Sequence, residues 1–189
     1  STRRKFIDLE LSKISAIYAF YLAKYNRLLK ERNQYLKLLS KKNGKYDDYL
    51  ETIDEQMVDV QLKVIEKREN FIERLSKNVK DIYKSIADNE EYVDLHYLCF
   101  IKKKDKEELL KLYKKEFSRD LKYLSTTHGI HKEDMKIMID QKSAHQYASQ
   151  GQQRTIVLSI KIALLELIKE EIGEYPILLL DDVLSELDD

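Results

Sequence analysis

Two short stretches hold residues whose types and spacing could do chemistry together. Asp181 and Asp182 follow the apolar run Ile177-Leu178-Leu179-Leu180, and Ser149-Gln150-Gly151-Gln152-Gln153-Arg154 opens a helical pattern upstream of it. An unbroken apolar run introduced by Tyr175-Pro176 suits a strand buried on both faces. Carboxylates at the carboxyl end of such a strand stand where open α/β sheets bind ligands. Paired there, they suit Mg²⁺ and phosphate, one holding the metal through water and the other polarising an attacking water. The bland alternative is a strand end with two solvated aspartates. In the upstream stretch Ser149 suits an N-cap, and Gly151 lets a ligand approach the backbone. The free N–H groups and partial positive charge of a helix start favour phosphate, and Gln152, Gln153 and Arg154 add donors. Here the bland alternative is an ordinary capped helix.

The elements that must position these groups follow from periodicity. Ile156, Ile160, Ala163, Leu164, Leu167 and Ile168 give one face to a helix over 150 to about 171, closed by a left-handed cap at Gly173. Ile17, Tyr18, Tyr21, Tyr25, Leu28, Leu29, Leu36 and Leu39 mark a helix over about 15–40, ended by Asn43-Gly44. Its tyrosines suit base stacking or, keeping the helical period, helix packing. A second stripe, from Leu50 through Met57, Val64, Phe71 and Val79 to Ile86, marks a helix over about 48–87, capped by Asp47 or Asp48 and stopped at Asp88-Asn89. Arg68 interrupts that stripe, where its stem can cover apolar surface. Two long helices across a short linker read as an antiparallel arm. A strand within 91–100, a helix over about 106–124 and a short strand over 136–140 follow. Lys102-Lys103-Lys104 is a candidate phosphate contact or a solvated loop. His128 and His131 make a poor metal pair without a third ligand.

Composition narrows the class. The 189 residues carry 34 basic and 34 acidic side chains, so nucleic-acid contact must come from local patches. Charged residues make up 36% of the chain, with one proline and four glycines, which points to long exposed helices. Cys99 stands alone, which suits a reducing cytoplasm, and no apolar run is long enough to span a membrane. The chain starts at Ser1 and stops at Asp189, so an excised middle piece is expected.

Ser149, Gly151 and Gln152, then a helix, an apolar strand, Asp181-Asp182 and Ser185-Glu186-Leu187-Asp188 resemble the signature motif, Walker B strand and D-loop of the ABC-type ATPases. The wording of 149–155 and 174–189 is closer still to the RecF family of bacterial recombination mediators, head ATPases related to the SMC proteins. Arg3-Arg4-Lys5-Phe6-Ile7-Asp8, the segment 25–33 and Thr127 to Met135 are similar to that family too, with Ile130, Lys132 and Glu133 departing from its Pro, Arg and Asp. The resemblance implies a mostly α fold with a small β part: an antiparallel helical arm of the lobe II type over 1–125, and part of an ABC-type α/β head over 126–189. It implies ATP bound between two protomers, with Ser149, Gln150, Gly151 and Gln152 contacting nucleotide in trans. Asp181 would hold Mg²⁺ through water, and Asp182, in place of the usual Glu, would orient water for slow hydrolysis. Ser185 and Asp188 would work across the dimer interface. Implied partners are gapped DNA, RecR and RecO, with no membrane. No Gly-x-x-x-x-Gly-Lys-Ser/Thr occurs, so these residues alone are expected not to bind ATP productively. Two rival readings stand: a nucleotide-independent helical interaction module, and another SMC-type head, whose arm helices would run longer.

Overall fold

The computed structural model describes residues 1–87 and 91–176. The elements run α1 (Thr2–Ile14), α2 (Ala16–Lys41), α3 (Asp48–Ala87), β1 (Val93–Leu98), α4 (Lys106–Tyr123), β2 (Asp134–Ile139), β3 (Lys142–Ser143), α5 (Ala144–Tyr147) and α6 (Gln150–Ile172). The fold is therefore mostly α, with a small antiparallel sheet in the order β1-β2-β3. Val93 lies opposite Ile139 and Leu98 opposite Asp134, and Met138 pairs with Ser143. The Asp88-Asn89 stop and the apolar run 177–180 lie outside the described residues.

Local chemistry sets the helix ends. Ser1 caps α1 and Ser15 caps α2, where its Oγ accepts from the Tyr18 amide. Thr2–Ile14 forms a helix of its own, outside the helix ranges that periodicity marks. Asp47 caps α3 by accepting from the Leu50 amide at 3.0 Å. The α2–α3 turn puts Asn43 at φ 48°, and the Gly44 amide reaches back to the Leu39 carbonyl at 2.8 Å.

Helix α3 is the spine, with α2, α4, β1 and α6 all packing on it. Its inner face buries Ile53, Met57, Val64, Phe71, Leu75, Val79 and Tyr83 in one core with Tyr18 and Tyr25 of α2, Val93 and Leu95 of β1, and Ile156 and Leu167 of α6. Ile86 departs from the expected stripe and is exposed, because Tyr83 takes the inward position in the last turns. A smaller cluster of Leu36, Leu39 and Leu50 closes the far end of the hairpin.

Two arginines sit inside this frame. Arg32 is fully buried and donates to Asp54 (2.5 Å), Asp120 (2.6 Å) and Thr126 (2.9 Å). Burial pushes the Asp54 carboxyl upward. Arginine does not release its proton, so the charge of Arg32 pulls the Asp54 carboxyl back down against that burial. Arg68 corrects the snorkelling expectation: its head is as buried as its stem. It donates to Asp8 (2.7 Å), Glu133 (2.9 Å) and the Ile130 carbonyl (2.8 Å). Glu133 also accepts from the Tyr97 hydroxyl in a short contact.

The tyrosine stripe of α2 is packing surface, and its buried hydroxyls are used. Tyr18 donates to Asp8 at 2.6 Å. His131 Nε2 faces the Thr126 carbonyl at 3.0 Å, so it carries the proton. Its Nδ1 then accepts from the Tyr25 hydroxyl at 2.6 Å. Gly129 makes room for this pair, since at φ 129° a Cβ would meet the Tyr25 oxygen at 2.6 Å.

Burial holds the His131 imidazole down at about 4, below the ordinary histidine value near 6.5. A lowered folded value means that between pH 4 and 6.5 the unfolded chain binds the extra proton. Stability is then fully present above about pH 6.5 and falls as the pH drops toward 4, by on the order of 2–3 kcal/mol. Urea unfolding across this range checks it: His131→Gln should flatten the slope, and an unchanged slope contradicts the assignment.

Candidate functional site

The signature end is built on the start of α6. Ser149 is the N-cap, and its Oγ accepts from the Gln152 amide at 3.2 Å. Gln152 returns the bond, its Oε1 accepting from the Ser149 amide at 2.7 Å, which completes a capping box. The Gln152 Nε2 group donates to Glu91 at 2.6 Å, and Glu91 accepts from Tyr83 of α3 at 2.8 Å. The first turn is thereby tied through Glu91 to the spine. Sequence reading missed Glu91. It lies 61 residues from Gln152, and no local pattern announces the contact.

Ser149, Gln150 and Gly151 are exposed, and Gln152 is half-buried. Gly151 is helical, and the nearest atom to a Cβ built there is the Ser149 Oγ at 4.0 Å. The fold itself therefore does not require glycine at this position. Open backbone at the positive end of a 23-residue helix is what an anionic ligand can use. A groove of about 450 Å³ runs alongside, between Leu98, Lys136, Ala144, Gln153, Ile156 and Val157.

The helix that carries this end is fixed at both extremes. Ile156, Ile160, Ala163, Leu164 and Leu167 bury its inner face. Arg74 of α3 pairs with Glu170 at 2.8 Å and with Glu171 near its far end. Gly173 closes it at φ 87°, as a left-handed cap. Asp181, Asp182, Ser185 and Asp188 lie outside the described residues, so the structure brings together Ser149, Gln150, Gly151 and Gln152.

The other sequence candidates find protein partners. Lys103 lies 3.9 Å from Asp105, and Lys104 pairs with Glu69. His128 packs on Tyr113 with ring centroids 5.0 Å apart. Among the described residues, no group of three or more His, Cys, Asp or Glu side chains is placed to hold a metal. Burial pushes the Cys99 thiol up to about 12, which leaves it inert as a nucleophile. No helix among the described residues is long and apolar enough to cross a membrane.

A long-helix arm packed on a capped helix whose opening turn carries the expected signature wording fits the class of ABC-type ATPase heads that carry a helical arm. No protein-family model matches the chain. The DNA replication and repair protein RecF of Staphylococcus carnosus is 44% identical over 194 residues, an alignment covering 99% of this chain and 52% of the relative. RecF of Clostridium botulinum (strain Loch Maree) is 44% identical over 188 residues, covering 98% and 51%. A solved structure of the recombination mediator protein RecF–ATP in the RecFOR pathway superposes with a TM-score of 0.92 at 39% identity, covering 100% of this chain and 52% of that one. The chain belongs to the RecF family, and it spans about half the length of the relatives it matches.

The geometry separates fold from function at the first turn of α6. Gly151→Ala should raise stability by about 0.5–1 kcal/mol, the helix-propensity gain, since nothing clashes. Gln152→Ala should cost about 1 kcal/mol through loss of the capping box. Thermal melts of both variants check this, and destabilisation by Gly151→Ala would contradict the open geometry.

Proposed function

We propose that the chain is the arm and trans-acting portion of an ATP-dependent recombination and repair mediator. The capped Ser149–Gln152 turn, with Ser149, Gln150 and Gly151 exposed and Gln152 held to the spine through Glu91, is the observation that carries this reading. It leaves donors and open backbone at a helix start, as closure over a partner's nucleotide requires. Relatives named DNA replication and repair protein RecF, and a neighbour described with ATP, support the same reading.

In this reading ATP binds to a lysine loop outside these residues, and the Ser149–Gln152 turn of a second protomer closes on its γ-phosphate. Asp181 holds Mg²⁺ through water, Asp182 orients the attacking water, and Ser185 and Asp188 meet the partner protomer. Residues 1–125 act as the arm and 126–189 as part of the head, joined through the β1–β2 pairing and the α3–α6 packing. An aspartate one methylene shorter than glutamate suits slow turnover, so ATP acts mainly as a clamp ligand that favours the dimer by mass action. Gapped DNA, RecR and RecO are the partners this reading assigns.

The test uses a protein in which this chain is joined to the lysine-loop half of the family. Sedimentation with ATP and Mg²⁺ should show a dimer. Ser149→Arg should abolish it while leaving ATP binding unchanged, with stability lowered only by the lost helix cap, about 1 kcal/mol, and Asp182→Asn should prolong it. An ATP-independent monomer, or a Ser149→Arg protein that still dimerises, overturns the proposal in favour of a nucleotide-independent helical adaptor.

A further inference from the structure

Helix α2 carries a second feature that the signature reading does not use. Its buried side is set by Tyr18, Tyr25, Leu28, Arg32, Leu36 and Leu39. On the opposite side, at three- and four-residue steps, stand Arg27, Lys30, Gln34, Lys37 and Lys41, all exposed. These five span 14 positions, roughly 21 Å of helix at 1.5 Å per residue. The acidic residue of α2 is Glu31, which sits beside this face, half-buried, and accepts from Tyr49 at 2.8 Å. Among the described residues, no ion pair engages Arg27, Lys30, Lys37 or Lys41, whereas Arg3, Arg74, Lys104 and Lys114 on other elements have acidic partners.

Four cations in line on one helix face, with no acidic residue on that face, make a local positive stripe on a chain with 34 basic and 34 acidic side chains. It repels itself along the helix, and a linear polyanion relieves that repulsion. We propose that this face of α2 is a docking surface for the phosphate backbone of duplex DNA. The occupant follows from charge complementarity and length: about 21 Å of helix matches roughly six phosphates of one strand at 3.4 Å each along the duplex axis. Side chains at these steps reach phosphates and no base pattern, so the contact positions DNA and does not read its sequence. The three-lysine loop, although denser in sequence, is the weaker candidate, because Glu69 and Asp105 already neutralise two of its charges. The inference rests on DNA being a partner of this chain, as in the proposed function, and adds the surface that meets it.

Fluorescence anisotropy of a labelled random-sequence duplex, titrated with the full chain over a range of salt concentrations, tests it. The combined variant Arg27→Gln, Lys30→Gln, Lys37→Gln and Lys41→Gln should bind at least tenfold more weakly at low salt. It should also lower the slope of log affinity against log salt by about 3–4, near 0.9 per lost phosphate contact. Lys63→Gln with Lys67→Gln, on an exposed α3 face of mixed charge, should leave the slope unchanged. A native chain that binds duplex with a slope the α2 variant does not alter overturns the surface but leaves the DNA reading intact. A native chain that binds no duplex at low salt overturns both. All variants should melt with the native protein, since the substituted side chains are exposed.

Discussion

The structure depends on the burial of Arg68. A guanidinium cannot shed its charge, so placing it in a core obliges acceptors to converge on it from wherever the chain can supply them. They come from three places in sequence. Asp8 arrives from α1, the Ile130 carbonyl and Glu133 from the segment before β2, and Tyr18 from α2 lies 3.0 Å from Nε. Arg32 repeats the arrangement farther along the arm, drawing Asp54 of α3 and Asp120 of α4 to α2. Well-packed apolar residues could give as much stability, and a charge left without partners would be very costly. What the arginines impose is register: α3 can meet its neighbours in one arrangement if both charges are to be satisfied.

That register reaches the candidate site through α6. The spine that the arginines align also receives the apolar face of α6, and apolar burial supplies most of the hold. Surface pairs such as Arg74 with Glu170 add little energy but mark where the far end lies. At the near end the contact is more specific, because Gln152 serves the capping box and the Glu91 tie with one side chain. Ser149 and Gly151 are left outward on a rigid base. The positions of these outward groups therefore derive from α3 through packing.

Much of this was legible in the residues. The apolar periods of α2, α3, α4 and α6 are long and regular, and Ser149, Asp47, Asn43-Gly44 and Gly173 are side-chain and glycine signals that act locally. The arginine clusters were not legible, because one arginine in an apolar stripe reads equally as a snorkelling side chain. Its partners stand 60 and 65 residues away, beyond any periodic signal. The same distance hid Glu91. The basic loop at 102–104 caught attention through adjacency in sequence, whereas the basic face of α2 appears only when residues three and four apart are brought into line. Asp181 and Asp182 stand out only by their family wording, and they lie outside the described residues.

Native-state hydrogen exchange on Arg68→Met, compared with the native chain, tests the central claim most directly. The substitution keeps the stem's volume and removes the charge that gathers α1, α2 and the segment before β2 onto α3. If Arg68 sets the register, amides of β1, β2 and the first turn of α6 should lose protection together with those of α3, by a similar factor. Loss confined to residues touching Arg68, with the first turn of α6 as protected as before, would contradict the account.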